Sequence, residues 1–208
     1  MTWKFDNNIA NVFHIHARQH IPKYELVIQK TVDICKSYSK DSVIVDVGCA
    51  VGETLVQLHN NGFTNLYGID NSQSMIDRCP QNLGFKLVVQ DKFIEDVKFD
   101  VVIINWTLHF IENKIEYLKQ VFDNLKDGGT LIITDKTSKQ PLPLEHYHLY
   151  KKRQGVTDQQ IKDKQQSVEN IMFIDDVEWY LTIFKELGFR QSYIFEADWC
   201  FTSFVAIK

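Results

Sequence analysis

The sequence is poor in features that would announce a simple class. It has no apolar run of roughly 18 residues, the length a spanning helix needs, so no membrane span is expected. Its opening, M-T-W-K-F-D-N-N, lacks the apolar core of a secretion signal, so a secreted protein is not expected either. The four cysteines, Cys35, Cys49, Cys79 and Cys200, form no C-x-x-C pair and read as reduced thiols of a cytoplasmic protein. Excess positive charge is missing: the net charge is -4, which gives no general attraction to nucleic acid. The dinucleotide fingerprint G-x-G-x-x-G is absent, which argues against a dehydrogenase. No internal repeat, low-complexity tract or evident acid-base constellation appears.

What is present fits one globular domain. Of the 208 residues, 44% are apolar and 12% aromatic, enough for a sizeable core. Residues 1–23 are polar, with His14, His16 and His20. Two readings compete there, a metal site or a surface segment that folds over a ligand. His14 and His16 are two apart and do not share a helical face, and no cysteine or acid stands nearby at zinc-ligand spacing. No metal is therefore expected.

The most informative stretch is 43–52, V-I-V-D-V-G-C-A-V-G. Its apolar, β-branched start predicts a strand buried on both faces. Asp46 stands near the strand's end, and Gly48, Cys49, Ala50 and Gly52 make a small-residue turn. Residues 53–60 follow at helical spacing. Strand, tight turn and helix together form a nucleotide-site entrance, because small residues let a ligand approach the backbone.

Around it the chain alternates. Residues 24–38 read as a helix, and 66–69 as strand two, closed by Asp70. Asp70 lies about 20 residues past the first glycine, the spacing at which an acid reaches ribose hydroxyls; otherwise it simply ends a strand. Ser72 caps a helix through Met75 and Ile76. Residues 85–89 are strand three, with Asp91 placed to accept from an adenine amino group. Residues 100–104 are strand four. Asn105, just past its carboxyl end, faces the ligand crevice, whereas Trp106 and Leu108 read as packing. His109 reads equally as a general base or a structural histidine.

Asn113 caps a helix whose buried face is expected at Ile115, Leu118, Phe122 and Leu125, ending at 127–129. Residues 130–134 are strand five. Residues 136–173 break the alternation and read as an inserted cap. Within 151–164, Lys151, Lys152, Arg153, Lys162 and Lys164 outnumber Asp158 and Asp163; on charge alone a solvated helix surface fits as well. A helix from 177, stopped by Gly188, precedes strands at 189–196 and 200–207, joined by a turn at Ala197-Asp198 and so antiparallel. The fold class is α/β, a doubly wound, Rossmann-like sheet with a C-terminal antiparallel hairpin.

D-V-G-C-A-V-G at 46–52, Asp70, L-K-D-G-G at 125–129 and the closing hairpin resemble class I S-adenosylmethionine-dependent methyltransferases and their seven-stranded sheet. Ala50 sits where that family often has its central glycine. A narrower resemblance, to the carboxy-S-adenosylmethionine synthase family, covers nearly the whole chain. It rests on F-D-N-N-I-A-N-V-F at 5–13, I-P-K-Y at 21–24, I-D-N-S-Q-S-M-I-D-R-C at 69–79, N-W-T-L-H-F at 105–110 and V-E-N-I-M at 168–172. That resemblance implies S-adenosylmethionine contacts at Tyr24, Gly48, Cys49, Ala50, Asp70, Asn71, Asp91, Lys92 and Asn105, a homodimer, and a place in tRNA wobble-uridine modification. Asp46 and Gly52 complete the expected cofactor set. At the position of the family's carboxylate-holding arginine stands Gln165, expected at the substrate but unable to form a bidentate charged pair. The leading expectation is therefore methyl transfer to an acceptor the sequence does not identify, with Asn105 and His109 at the reacting centre. Carboxyl transfer from prephenate onto the cofactor, with the anion held by Lys151, Lys152 or Lys164, is the alternative. A catalytically silent cofactor-binding subunit is the third reading.

Overall fold

The structure, a computed structural model, describes residues 7–208, with no side chains described for residues 7–9. Phe5 and Asp6 of the 5–13 motif lie outside the described residues. The chain runs α1 (Asn7–His20), α2 (Tyr24–Cys35), β1 (Val43–Val47), α3 (Glu53–Asn60), β2 (Asn65–Asp70), α4 (Gln73–Ile76) and β3 (Lys86–Val89). It continues β4 (Phe99–Asn105), α5 (Lys114–Asn124), β5 (Leu125–Lys136), α6 (Pro141–Arg153), α7 (Asp158–Val168), α8 (Val177–Leu187), β6 (Gln191–Asp198) and β7 (Phe201–Ile207). One seven-stranded sheet has the order β3-β2-β1-β4-β5-β7-β6. Strands β1 to β5 are parallel, and β7 runs antiparallel to both of its neighbours, β5 and β6.

The strand pleat divides the core. On β4, Val102 and Ile104 face α5 and α8 through Leu118, Val121, Tyr180 and Phe184. Val101 and Ile103 face the other layer, with Val32, Leu55 and Leu58 of α2 and α3. Burial on both faces explains why the central strands read as nearly continuous apolar runs.

Three local expectations change. The α5 core face is Tyr117, Leu118 and Val121, with Lys114 buried beside it, while Ile115 is 53% exposed. Lys114 leaves the solvent because its ammonium binds Asp175 and the Phe173 carbonyl. Strand five begins at Leu125 rather than Thr130, because the chain end pairs with its glycines: Gly128 N–H donates to Lys208 O at 3.1 Å and Lys208 N–H to Gly129 O at 3.0 Å. The hairpin turn falls at Trp199-Cys200, since Ala197 and Asp198 pair with Thr202 and Phe201. Trp199 adopts φ 46°, a left-handed conformation that suits a two-residue connection.

The 136–173 segment holds α6 and α7 beyond the carboxyl end of β5. Tyr147 and Tyr150 of α6 donate hydrogen bonds to the carbonyls of His20, at 2.8 Å, and Arg18, at 2.5 Å. The N-terminal helix and α6 are thereby joined above the sheet's carboxyl edge.

Candidate active site

The site grows from the β1–α3 turn. Gly48 and Cys49 both direct N–H groups to the Ile69 carbonyl, at 2.7 and 3.0 Å. Ala50 N–H donates to Asp70 Oδ2 at 2.9 Å, and Ser72 N–H to Asp70 Oδ1 at 2.8 Å. The turn and the β2 carboxylate therefore hold each other. Gly48 has φ +70°, and a Cβ there would lie 2.0 Å from Thr107 Oγ1, so no other residue fits. Ala50 has φ 48°, a conformation that glycine adopts without strain.

A cavity of about 980 Å³ opens over these carboxyl ends. Asp46, Gly48, Cys49 and Ala50 line its β1 side, and Asp70, Asn71 and Asp91 its β2 and β3 side. Tyr24, Asn105 and His109 complete the expected residues in its wall. Three expected residues stand elsewhere. Gly52 caps α3 with φ 82° and lies outside the lining. The side chain of Lys92 is exposed, and its carbonyl accepts from Gln90 Nε2 at 2.7 Å. Gln165 is exposed on α7, and Lys164 faces the cavity instead. Neighbouring residues of a helix point about 100° apart, and on α7 Lys164 lines the cavity while Gln165 is exposed.

Other wall residues were not assigned to the cofactor or the reaction from the sequence. Trp106, expected as packing, borders the cavity because its backbone takes φ 56°, and its ring centroid lies 4.8 Å from that of Tyr24. Glu53 opens α3 beside the turn; it accepts from Arg18 at 3.0 Å and from Tyr24 Oη at 3.3 Å. Its place directly after the glycine turn was the available signal. His16 and His20, four apart on α1, bring their rings to 4.2 Å at the opposite wall. The spacing of that pair was legible; the tertiary fold that carries it to the cavity was not.

Charge divides the cavity. On the turn side, burial lifts the Asp46 carboxyl to about 8, with the Asp70 charge adding to the rise. Burial also raises Asp70, against the two backbone N–H bonds that lower it. On the helical side, burial lowers Lys164 to about 6, with the Lys151 charge contributing. Burial lowers His16 to about 4 and His20 to about 3. Burial thus holds Asp46, Lys164, His16 and His20 largely uncharged near pH 7; a positive ligand would favour ionised carboxyls at the turn end, and an anion would favour protonated nitrogens at the other.

The turn end fits a sulfonium nucleoside of positive charge on a second ground. Asn105 is 6% exposed; its Nδ2 donates to Thr31 at 3.3 Å, while its Oδ1 is buried without a partner. A buried acceptor of this kind calls for a donor from a ligand.

Residues 38–198 match a family model described as a methyltransferase domain. The chain is 31% identical to the carboxy-S-adenosyl-L-methionine synthase of Shewanella piezotolerans, over 99% of this chain and 93% of that protein. It is 29% identical to the synthase of Ruthia magnifica, over 100% of this chain and 95% of that protein. Among solved structures, the magnesium protoporphyrin IX methyltransferase of Synechocystis, determined with bound S-adenosylhomocysteine, matches with TM-score 0.63 at 16% identity, over 100% of this chain and 89% of that one. An S-adenosylmethionine-dependent methyltransferase from Mesorhizobium loti matches with TM-score 0.62 at 15% identity, over 88% of this chain and 98% of that one. Fold, turn and relatives agree: the chain belongs to the S-adenosylmethionine-dependent methyltransferases and, within them, to the carboxy-S-adenosyl-L-methionine synthase family.

Proposed function

We propose that this S-adenosylmethionine-dependent enzyme transfers a methyl group to an acceptor carrying an anionic group. Asp70 would hold the cofactor's ribose and Asp91 its adenine. The turn at 48–50, with Asp46 and Asn105, would hold its methionine part. S-adenosylmethionine supplies a methyl group activated by the sulfonium, so positioning is the protein's main task. Tyr24 and Trp106 present aromatic surface to a positive ligand. His16, His20 and Lys164 offer nitrogens that gain a proton when an anion enters. Helices α6 and α7 serve as a cap that excludes water from this end.

The observation that carries the reading is the side-chain direction on α7. Gln165 is exposed, and Lys164, whose ammonium lacks a bidentate fork, is the lysine or arginine among the described residues that lines the cavity. That supports methyl transfer over the tight grip of an added carboxylate. Calorimetry with millimolar S-adenosylmethionine should show binding, and Asp70→Ala should weaken it at least tenfold; no heat with the parent chain would sink the proposal.

A second reading is carboxyl transfer onto the cofactor, as the relatives' name describes. Lys164 and Lys151 favour it. Incubation with S-adenosylmethionine and prephenate, followed by mass spectrometry, separates the two. A carboxylated cofactor supports the second reading, and S-adenosylhomocysteine formed with a methylated acceptor supports the first. The resemblance also favours a homodimer and a role in tRNA modification, and the four buried free thiols favour a reducing cytoplasm. Light scattering tests the dimer.

A further inference from the structure

We infer that His109 is the proton acceptor of this site, held in the required tautomer by Asp135 and Tyr180, and that the acceptor is a hydroxyl compound bearing an anionic group. The inference rests on the methyl-transfer reading above. His109 lies in the short turn after β4, lines the cavity and is 3% exposed. Its Nδ1 is hydrogen-bonded to Asp135 Oδ1. Asp135, fully buried near the end of β5, also accepts from Tyr180 Oη of α8 at 2.5 Å. The His109 carbonyl is held too, accepting from Phe173 N–H at 2.8 Å.

These contacts settle the ring's chemistry. Burial and the Asp135 charge push the Tyr180 hydroxyl far above its usual range, so it stays protonated and donates. A carboxylate that already receives Tyr180 is an acceptor towards His109 as well. The imidazole therefore carries its proton on Nδ1, and Nε2 keeps the lone pair, the only ring nitrogen left for a ligand. Histidine oriented by a buried carboxylate is the arrangement by which an imidazole takes a proton and is stabilised as imidazolium.

The step balances. Nε2 takes the proton of the acceptor's O–H, and the oxygen's freed pair forms the bond to the methyl carbon. The carbon–sulfur bond breaks, its pair passing to sulfur, and the imidazolium later releases its proton to water. Asp135 and Tyr180 are positioning residues, since they act through the ring. The anionic group of the acceptor falls to the His16–His20–Lys164 end of the same cavity.

The test uses the full chain, labelled with ¹⁵N-histidine and saturated with S-adenosylhomocysteine. Long-range ¹H–¹⁵N spectra should show His109 protonated on Nδ1, and Asp135→Asn should shift it towards the other tautomer. With 4-hydroxybenzoate as the probe acceptor, His109→Gln should lower S-adenosylhomocysteine formation about 10²–10⁴-fold. It should also abolish the fall in rate on the acid side of the pH profile, which a purely structural histidine would leave unchanged. A proton on Nε2, or rates within threefold of the parent, overturns the inference. If the parent leaves the probe untouched, the tautomer alone decides. Calorimetry with S-adenosylmethionine on the same samples separates the failures: absent binding removes the proposed function, whereas binding with the wrong tautomer removes only the role of His109.

Discussion

Asp46 is a residue whose chemistry changes strongly on folding. Its carboxyl moves from the ordinary 3.8 to about 8 through burial and the neighbouring Asp70. Between those values the folded state binds more protons than the unfolded state, so this group's contribution to stability falls as pH rises from about 4 to about 8. Asp46→Asn does not titrate. The stability of the parent minus that of the variant should therefore decline across that window, measured by urea unfolding at several pH values; parallel curves would contradict this. A positive cofactor favours the ionised carboxylate, so binding at pH 7 should release a proton, which calorimetry in two buffers of different ionisation enthalpy detects. Gly48 is the steric counterpart. Gly48→Ala adds a Cβ 2.0 Å from Thr107 Oγ1 at φ +70°, and should cost about 2 kcal/mol or more. Adding Thr107→Ala should recover only part of that loss in urea melts, because the backbone strain remains. Both residues stand in a motif whose order in the chain already announced a ligand turn. Trp106 could not be read that way, since its place in the wall depends on a left-handed backbone angle.

At the scale of elements, helix ends were the most legible features. Ser72, Asn113 and Asp176 each accept from a backbone N–H in the next turn, as their residue types announce. Asp176→Ala should cost about 1 kcal/mol of unfolding free energy, because Trp179 N–H loses its 2.9 Å partner at the start of a helix that buries Tyr180 and Phe184. A loss below about 0.3 kcal/mol would show that the cap is redundant. Helix phase was harder to read. Of the face expected for α5, Leu118 and Leu125 are buried, but Ile115 is exposed and Lys114 is buried with an ionic partner 61 positions away, which periodicity within the helix does not record. Lys164 and Gln165 exchanged places for a related reason: the inward face of α7 is set by where it packs. The hairpin shifted because strand register, here Asp198 against Phe201, outweighs local turn propensity.

For the whole molecule, the cavity joins two regions far apart in sequence, α1 with α6 and α7 on one side and the strand ends on the other. Ligand free energy should therefore appear as global stability. S-adenosylhomocysteine at 100 times its Kd should raise the unfolding free energy by about 2.7 kcal/mol. Hydrogen exchange should then slow in α1 and α6 as well as around 48–50; protection confined to the turn would mean the helical wall does not close on the ligand. The alternation of buried strands and helices was determined by sequence alone, because period and capping act over a few residues. So was the turn that receives the cofactor, because small residues at a strand's end have a local steric meaning. Only the tertiary structure decided which cation faces the cavity, that Asp135 and Tyr180 stand behind His109, and that His16 and His20 meet Lys164. Those relations depend on packing between segments up to 148 residues apart, and no local pattern encodes such distances.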